Sequence, residues 1–227
     1  MNSKLGMAVC SGVFAALSHF SLAGAQDISG NLTCDKTKIP LTDTVAYVND
    51  KAEFFGRKQW SVRVHVFKTK LTAEEKQWWA ARDAMRKKPD GVYMGAEDFG
   101  YKGAILKDFK RQNEIQNAIA LRFNIDLKDG LTPATLEQKG LDNAKIAMFT
   151  SVDCGGAHRN NTFPRSPGNP DKVSQDFQGF SAELKEGGKG TLASKRAIPA
   201  DTTGKAQPKI NIDWDIKGKF SVLKLPG

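Results

Sequence analysis

The residue types best suited to covalent chemistry lie in segment 153–158, which reads Asp-Cys-Gly-Gly-Ala-His. A thiolate beside a histidine can act as a nucleophile, so Cys154 and His158 are the first candidates. Cys34 is the other cysteine outside the N-terminal apolar stretch. In an oxidising compartment an even number of cysteines predicts a disulfide. We therefore predict a Cys34–Cys154 disulfide, which would consume the thiol, and assign no catalytic residue.

Carboxylates offer a different chemistry, hydrolysis by a general acid and a general base. A hydrolase would draw on Asp153, on His158 or on acids of the predicted helix and the loop after it. These acids are Glu74, Glu75, Glu97 and Asp98. His65 is expected on the polar face of a strand, in contact with water.

Three residues with side-chain oxygens alternate near the end of the chain, at Asn211, Asp213 and Asp215. Calcium takes roughly six to eight oxygens, usually gathered in a loop. The alternation instead predicts the solvated face of a strand. The sequence also lacks a phosphate-binding loop, a dinucleotide fingerprint and the histidine–glutamate spacing of zinc proteases. No metal and no cofactor is predicted.

Aromatic and basic side chains after Leu71 are the strongest candidates for ligand binding. Trp78 shares a helix face with Met85 and is predicted to lie in the core. Adjacent helical residues point about 100° apart, so Trp79 is expected at the edge of that face. There it could stack on a sugar ring or cap a partner protein, whereas packing under the following loop is the alternative. The predicted ligand-binding residues are Trp79, Arg82, Arg86, Tyr93 and Tyr101.

The element that carries these residues is a helix that begins after Thr72. Thr72 and Glu75 have the spacing of a capping box. Acids in the first turn and bases in the last suit the helix dipole. The sequence Pro-Asp-Gly at 89–91 ends the helix. We predict that this helix and the loop after it form an insertion between two strands, at about 71–113.

Strict alternation of apolar and polar residues predicts β-strands along much of the remaining chain. The alternating or apolar segments are 44–48, 60–67, 119–127, 145–152 and 210–217. Glycine-containing turns predict hairpins over 180–194 and 215–223. With the long-range disulfide, this pattern predicts a mainly β fold. We expect an antiparallel β-sandwich, immunoglobulin-like in the broad sense, with one inserted α-helix and long loops.

The first 25 residues have the organisation of a cleavable signal peptide. Lys4 precedes an apolar stretch, and Ala23-Gly24-Ala25 fits a cleavage site of small residues. The stretch is shorter than the roughly 20 residues that span a bilayer, and no other window is apolar enough. We predict export to a periplasm or beyond, with residues 26–227 forming one domain. That domain has 33 basic and 25 acidic residues, a net charge of +8.

These observations predict an exported, non-enzymatic binding or interaction module of the cell envelope. Positive charge favours a partner such as an envelope protein or an anionic glycan or lipid surface. The lysines are too scattered to indicate nucleic acid. Two alternatives stay open: an exported hydrolase with an unassigned acid/base site, and a subunit of a surface or secretion assembly that pairs through an edge strand.

Overall fold

The computed structural model describes residues 28–54, 57–84, 92, 94–126, 151–154, 159–160, 180–200, 202 and 210–225. Within these residues the fold is mainly β, as predicted. The strands are β1 (Ile28–Cys34), β2 (Thr37–Pro40), β3 (Asp43–Phe54), β4 (Arg57–Phe67), β5 (Ile119–Asp126), β6 (Ser151–Asp153), β7 (Arg159–Asn160), β8 (Phe180–Leu184), β9 (Lys189–Ile198) and β10 (Ile212–Leu223). The α-helices are α1 (Ala73–Asp83) and α2 (Phe109–Asn117).

Strand β10 joins two groups of strands into one curled, mixed sheet. It pairs antiparallel with β1 along one edge and with β9 along the other, and these strands pair in turn with β2 and β8. Beyond the residues that pair with β1, the last residues of β10 run parallel to β3, with Val222 opposite Ala46 and Leu223 opposite Tyr47. Strands β3 to β7 then follow in order. The architecture is a half-barrel, and the predicted β-sandwich is not confirmed.

The inside of the curl is the main apolar core, and it is built from the alternating residues that the sequence indicates. Val62, Val64 and Val66 of β4 are buried there together with Leu32 of β1 and Trp214 of β10. Each side chain points into the core because every second residue of a strand faces the same side. The core therefore draws on both groups of strands, which holds the curl together.

A disulfide fastens the two groups of strands at a second place. Cys34, at the end of β1, is bonded to Cys154, directly after β6, and their Cα atoms are 5.9 Å apart. The sequence prediction of this bond is confirmed. Since the bond spans 120 residues, it links chain segments that local structure does not bring together.

The outer face of β3 and β4 is covered by the helical insertion, which forms a second apolar core. Val45 and Tyr47 of β3 and Phe67 of β4 pack there against Trp78 of α1 and Ile115 of α2. These central strands are consequently buried on both faces. The helices are thus an integral layer of the fold.

Helix α1 begins as predicted, with the Thr72 hydroxyl accepting from the backbone N–H of Glu75 and the Glu75 side chain accepting from that of Thr72. The prediction of a single helix is wrong, because α2 extends over residues assigned to a loop and carries the insertion past residue 113. Asp108 caps α2 by accepting from the Arg111 N–H, and Ile115 anchors it in the core. One buried apolar residue in nine gives too weak a periodicity for sequence analysis to detect.

The two predicted hairpins have different outcomes. The first is confirmed, since β8 and β9 pair around a turn in which Gly187 and Gly188 have positive φ. The second is wrong, because β10 runs without interruption through Gly218. Gly218 pairs with Ile28 of β1 on one side and with Leu192 of β9 on the other. Ladder partners on both sides hold this glycine extended.

Some predictions fall on residues outside the described ranges, namely the signal peptide, Arg86, Tyr93, His158 and residues 145–150. Within the described ranges, neither helix has the length and hydrophobicity needed to cross a bilayer.

Candidate functional site

A cluster of polar side chains lies between α1 and the outer face of β3 and β4. Its central group is Asp83, the last residue of α1. The Tyr47 hydroxyl donates a hydrogen bond to Asp83 Oδ2. Arg63 Nη1 donates to the same oxygen at 3.0 Å and to the Asp83 carbonyl at 3.2 Å. One carboxylate thus connects the C-terminal end of the helix to both strands beneath it.

The electrostatics of Asp83 favour its charged form. Burial alone would raise the pKa of its carboxyl, but the charge that His65 gains when it is protonated in acid, the charge of Arg63 and the hydrogen bonds from Tyr47 and Arg63 outweigh burial and lower it. Burial and the adjacent carboxylate raise the pKa of Tyr47 well above its usual value, so its hydroxyl stays a neutral donor. A guanidinium has no accessible neutral form, which makes Arg63 the permanent counter-charge.

His65 completes this cluster, and the expectation that it contacts water is wrong. Only 2% of the residue is exposed, because the helix covers the strand face that alternation marks as polar. Trp79 Nε1 donates to His65 Nδ1 at 2.8 Å, and His65 Nε2 lies 3.7 Å from Asp83 Oδ2. Since Nδ1 accepts, the neutral imidazole carries its proton on Nε2, toward the carboxylate.

Burial is the largest influence on His65 and lowers its pKa to about 4, helped by the positive charges of Arg122 and Arg63 and opposed by Asp83. The imidazole is therefore neutral at neutral pH. An acid–base pair of aspartate and histidine can serve catalysis when a substrate reaches it. Here His65 is covered, and Tyr47 has no exposed surface. The arrangement instead fixes α1 on the sheet.

Two further carboxylates attach the insertion. Asp43, which is 1% exposed, accepts from the backbone N–H of Leu71 at 2.9 Å and from Lys76 Nζ at 2.5 Å. Glu75 receives two hydrogen bonds from Arg111, from Nε at 2.6 Å and from Nη2 at 3.2 Å. Those hydrogen bonds are the main cause of a lowered Glu75 pKa. Strand β3, helix α1 and helix α2 are consequently linked by charged pairs as well as by apolar packing.

Of the residues predicted to bind a ligand, the three that the structure describes do not form one exposed surface. Trp79 is 3% exposed, so its expected place at the helix edge is wrong; its ring packs against His65 and Phe67 of β4. Arg82 is exposed, with its guanidinium carbon 5.4 Å from the Trp78 ring centre and 5.6 Å from that of Trp79. Tyr101 is half-buried and donates to the Glu74 carbonyl at 3.1 Å. Arg86 and Tyr93 lie outside the described residues.

The acids proposed for a hydrolase lie at different places in the fold and have different hydrogen-bond partners. Glu74 Oε1 accepts from the Ile105 N–H at 3.0 Å, and Asp98 Oδ2 accepts from the Gly95 N–H at 2.8 Å. Glu97 is exposed, and Asp153 precedes the disulfide.

The acids on β10 lie on the exposed face of that strand, as predicted. Asp213 and Asp215 are both exposed, and Asp215 lies 3.2 Å from Lys195 Nζ. Among the described residues, no three His, Cys, Asp or Glu side chains are arranged to hold a metal ion.

An exposed corner between a 3-10 turn (Ala104–Lys107) and α2 is the feature that the sequence analysis missed. All four residues 107–110 are exposed. Phe109 is 73% exposed, and Val92 is the other large hydrophobic residue exposed in the described part of the chain. We call residues 107–110 the Phe109 corner.

Signals for the missed residues do exist in the sequence. Lysines flank Phe109 on both sides, at 107 and 110, a pattern of apolar and basic residues. Asp83 stands in the last turn of α1, where a helix disfavours negative charge, so its presence indicates a tertiary partner. Asp43 has no such local signal, because its partners come from a different segment. Comparison of the chain with protein families, with curated proteins and with solved structures gives no match.

Proposed function

We propose that this protein is an exported, non-enzymatic binding module and that its contact surface is the Phe109 corner of the helical insertion. The proposal of export is based on the signal-like sequence before Gln26, and the disulfide is consistent with it because disulfides persist in oxidising compartments. The observation that carries the proposal is the 73% exposure of Phe109 on a well-fixed corner. Aromatic residues, Phe among them, are enriched at the surfaces through which proteins contact partners.

The corner is held from behind by hydrogen bonds. Gln112 Nε2 donates to the Ile105 carbonyl at 2.8 Å and to the Leu106 carbonyl at 3.2 Å, which joins the turn to α2. Ile105 itself is buried, as is Ile115 of α2. A surface that is already ordered loses little conformational entropy when it binds, so these contacts favour binding.

The corner also carries positive charge. Lys107 and Lys110 are exposed, and within the described residues no carboxylate lies within salt-bridge distance of either ammonium group. Asp108 stands between them and caps α2. The lysines give this surface a preference for anionic partners, in line with the net charge of +8 after removal of the signal.

The polar groups inside the insertion support binding over hydrolysis. Glu75 and Asp83 are each engaged by an arginine, and Asp43 is engaged by Lys76. These acids have a structural use that accounts for their burial. The exported module therefore presents a rigid helical layer whose outer corner is available to a partner.

A triple substitution of the corner tests this proposal, combining Phe109→Ser with Lys107→Glu and Lys110→Glu. The tagged mature protein and the variant are each incubated with the envelope fraction of the source cells, and the retained material is quantified. We expect most of the retention to be lost. All three side chains are exposed, so the circular dichroism spectrum and the melting temperature should stay as in the original protein.

The matched control combines Val92→Ser with Lys36→Glu and Lys38→Glu. This control makes the same change in charge and removes the other exposed hydrophobic residue. Its two lysines are remote from the corner, because Lys38 lies in β2 and Lys36 just before it, and β1 and β10 separate β2 from β3. Retention by the control should match the original protein. Equal retention by the corner variant would contradict the proposed contact surface.

A further inference from the structure

We infer that the partner of the Phe109 corner is an anionic phospholipid surface, an inference that rests on the proposed function. The corner consists of four consecutive exposed residues that join the 3-10 turn to α2. Its hydrophobic group is a single phenyl ring at the first position of the helix. The choice of partner follows from the shape, the charge and the chemistry of this small surface.

The size of the corner argues against a dedicated protein interface. A stable protein–protein interface takes about 800 Å² from each partner and has a central group of packed side chains. The described residues around Phe109 supply one exposed aromatic ring between two lysines. A fluid lipid surface adapts to a projecting corner, whereas a folded partner would need a pocket of matching shape.

The residue types suit the boundary between headgroups and acyl chains. A phenyl ring gains free energy when it leaves water for that boundary. Lysines beside it can lay their carbon chains along the same boundary and keep the ammonium groups among the phosphates. Lys107 and Lys110 stand on either side of Phe109 in the sequence and meet this requirement.

The helix N-terminus is not the anion site in this arrangement. Asp108 accepts from the Arg111 N–H at 2.9 Å, which places a carboxylate where an anion would bind the helix dipole. Recognition of phosphate therefore falls to the ammonium groups of Lys107 and Lys110. Arg111 does not contribute, because Glu75 and Glu114 already engage its guanidinium.

The expected attraction is moderate and depends on salt. A lysine near an anionic membrane surface strengthens binding about fivefold, and this effect falls off within a Debye length of about 10 Å at 0.1 M salt. The two lysines then give about 25-fold, the Asp108 carboxylate between them offsets about fivefold of this, and burial of the phenyl ring adds on the order of tenfold or more. Such a module binds anionic membranes reversibly and loses much of its binding as salt is raised.

Co-sedimentation with vesicles tests the inference. The mature, disulfide-bonded protein is mixed with vesicles of phosphatidylcholine alone or with phosphatidylglycerol added, at low and at high salt. We expect binding to the anionic vesicles only, weakened by salt. Phe109→Ser should weaken binding about tenfold, and Lys107→Gln with Lys110→Gln about 25-fold. Val92→Ser is the control for Phe109→Ser, and the double variant Lys36→Gln with Lys38→Gln is the control for the two corner lysines. Each control should change binding by less than about threefold, the size of effect usual for an exposed residue outside a site.

Each outcome has a definite meaning. If the anionic vesicles are not bound while the corner variant still loses retention on the envelope fraction, the lipid inference is overturned and the proposed function stands with a protein or a glycan as partner. Equal weakening by the control lysines would also overturn the inference, because total charge would then explain binding. If neither vesicles nor envelope distinguish the corner variant, both proposals fall.

Discussion

Replacement of Asp83 by alanine should destabilise the protein strongly, although this residue lies at the end of a helix near the surface. Its carboxylate accepts from Tyr47, which has no exposed surface, and pairs with Arg63, whose side chain is 24% exposed. Loss of the acceptor leaves a buried hydroxyl unsatisfied, which costs about 1–3 kcal/mol.

Loss of the carboxylate also leaves a guanidinium without its counter-charge. For a fully buried pair this loss would cost about 3–5 kcal/mol, but the partial exposure of Arg63 reduces it. We therefore expect the free energy of unfolding to fall by about 3 kcal/mol in Asp83→Ala. Asp83→Asn keeps an oxygen for the Tyr47 hydroxyl and should cost less.

A double-mutant cycle separates the two contributions. Tyr47→Phe removes the hydroxyl that Asp83→Ala leaves unsatisfied, so the double variant should be more stable than the sum of the single losses by about 1–2 kcal/mol. Urea unfolding at neutral pH, followed by circular dichroism with the disulfide intact, gives these free energies. Glu97→Ala, at an exposed acid, is the control and should change stability by less than about 0.5 kcal/mol. Additivity of the two substitutions within about 0.5 kcal/mol would refute this account of the cluster.

Three further predictions concern pH, the disulfide and one glycine. Burial lowers the pKa of His65 to about 4 in the folded protein, whereas in the unfolded chain this histidine takes up a proton near its usual pKa of about 6.5. Lowering the pH from about 6.5 to about 4 therefore favours the unfolded chain and should remove roughly 3 kcal/mol of the free energy of unfolding. Urea unfolding at several pH values should show this loss, and His65→Gln should remove most of it; an unchanged pH dependence would contradict the burial of a neutral imidazole. Replacing Cys34 and Cys154 by serine should cost up to about 5 kcal/mol for a separation of 120 residues, measured by calorimetry, and non-reducing mass spectrometry of the mature protein, residues 26–227, should detect no free thiol. Gly190→Ala would place a Cβ 2.3 Å from Cζ of Phe220 and should cost about 1–3 kcal/mol in urea unfolding, a loss that Phe220→Leu should partly relieve.

Local signals predicted the elements whose causes are local. The alternation in β4 and β5 predicted both strands, because the side-chain period of a strand can be read from the residues themselves. The capping box of Thr72 and Glu75 likewise fixed the start of α1. Cys34 and Cys154 could be paired because they are the cysteines outside the predicted signal peptide. Each of these predictions depended on residues within one segment or on a simple count.

The errors concern contacts between distant segments. His65 stands at a polar position of β4, and its burial follows from α1 covering that face. Trp79 points toward His65 for the same reason, so the sequence alone could not place its ring. The Gly218 turn was predicted from composition, whereas pairing with β1 and β9 holds the strand extended. The curl of the sheet depends on the parallel pairing of β10 with β3, for which no local residue pattern exists.

The place of β10 in the sheet also sets an expected order of folding. Strands β3, β4 and β5 and both helices come from one continuous stretch, residues 43–126, so their contacts close comparatively short loops. Strand β1 instead pairs with β10, and the paired residues Ile28 and Gly218 stand at opposite ends of the chain. Contacts of such long sequence separation form slowly, because loop closure must come first. We expect the helical half to form early and β1 to wait for the last strand, so a chain still emerging from a ribosome remains without its half-barrel.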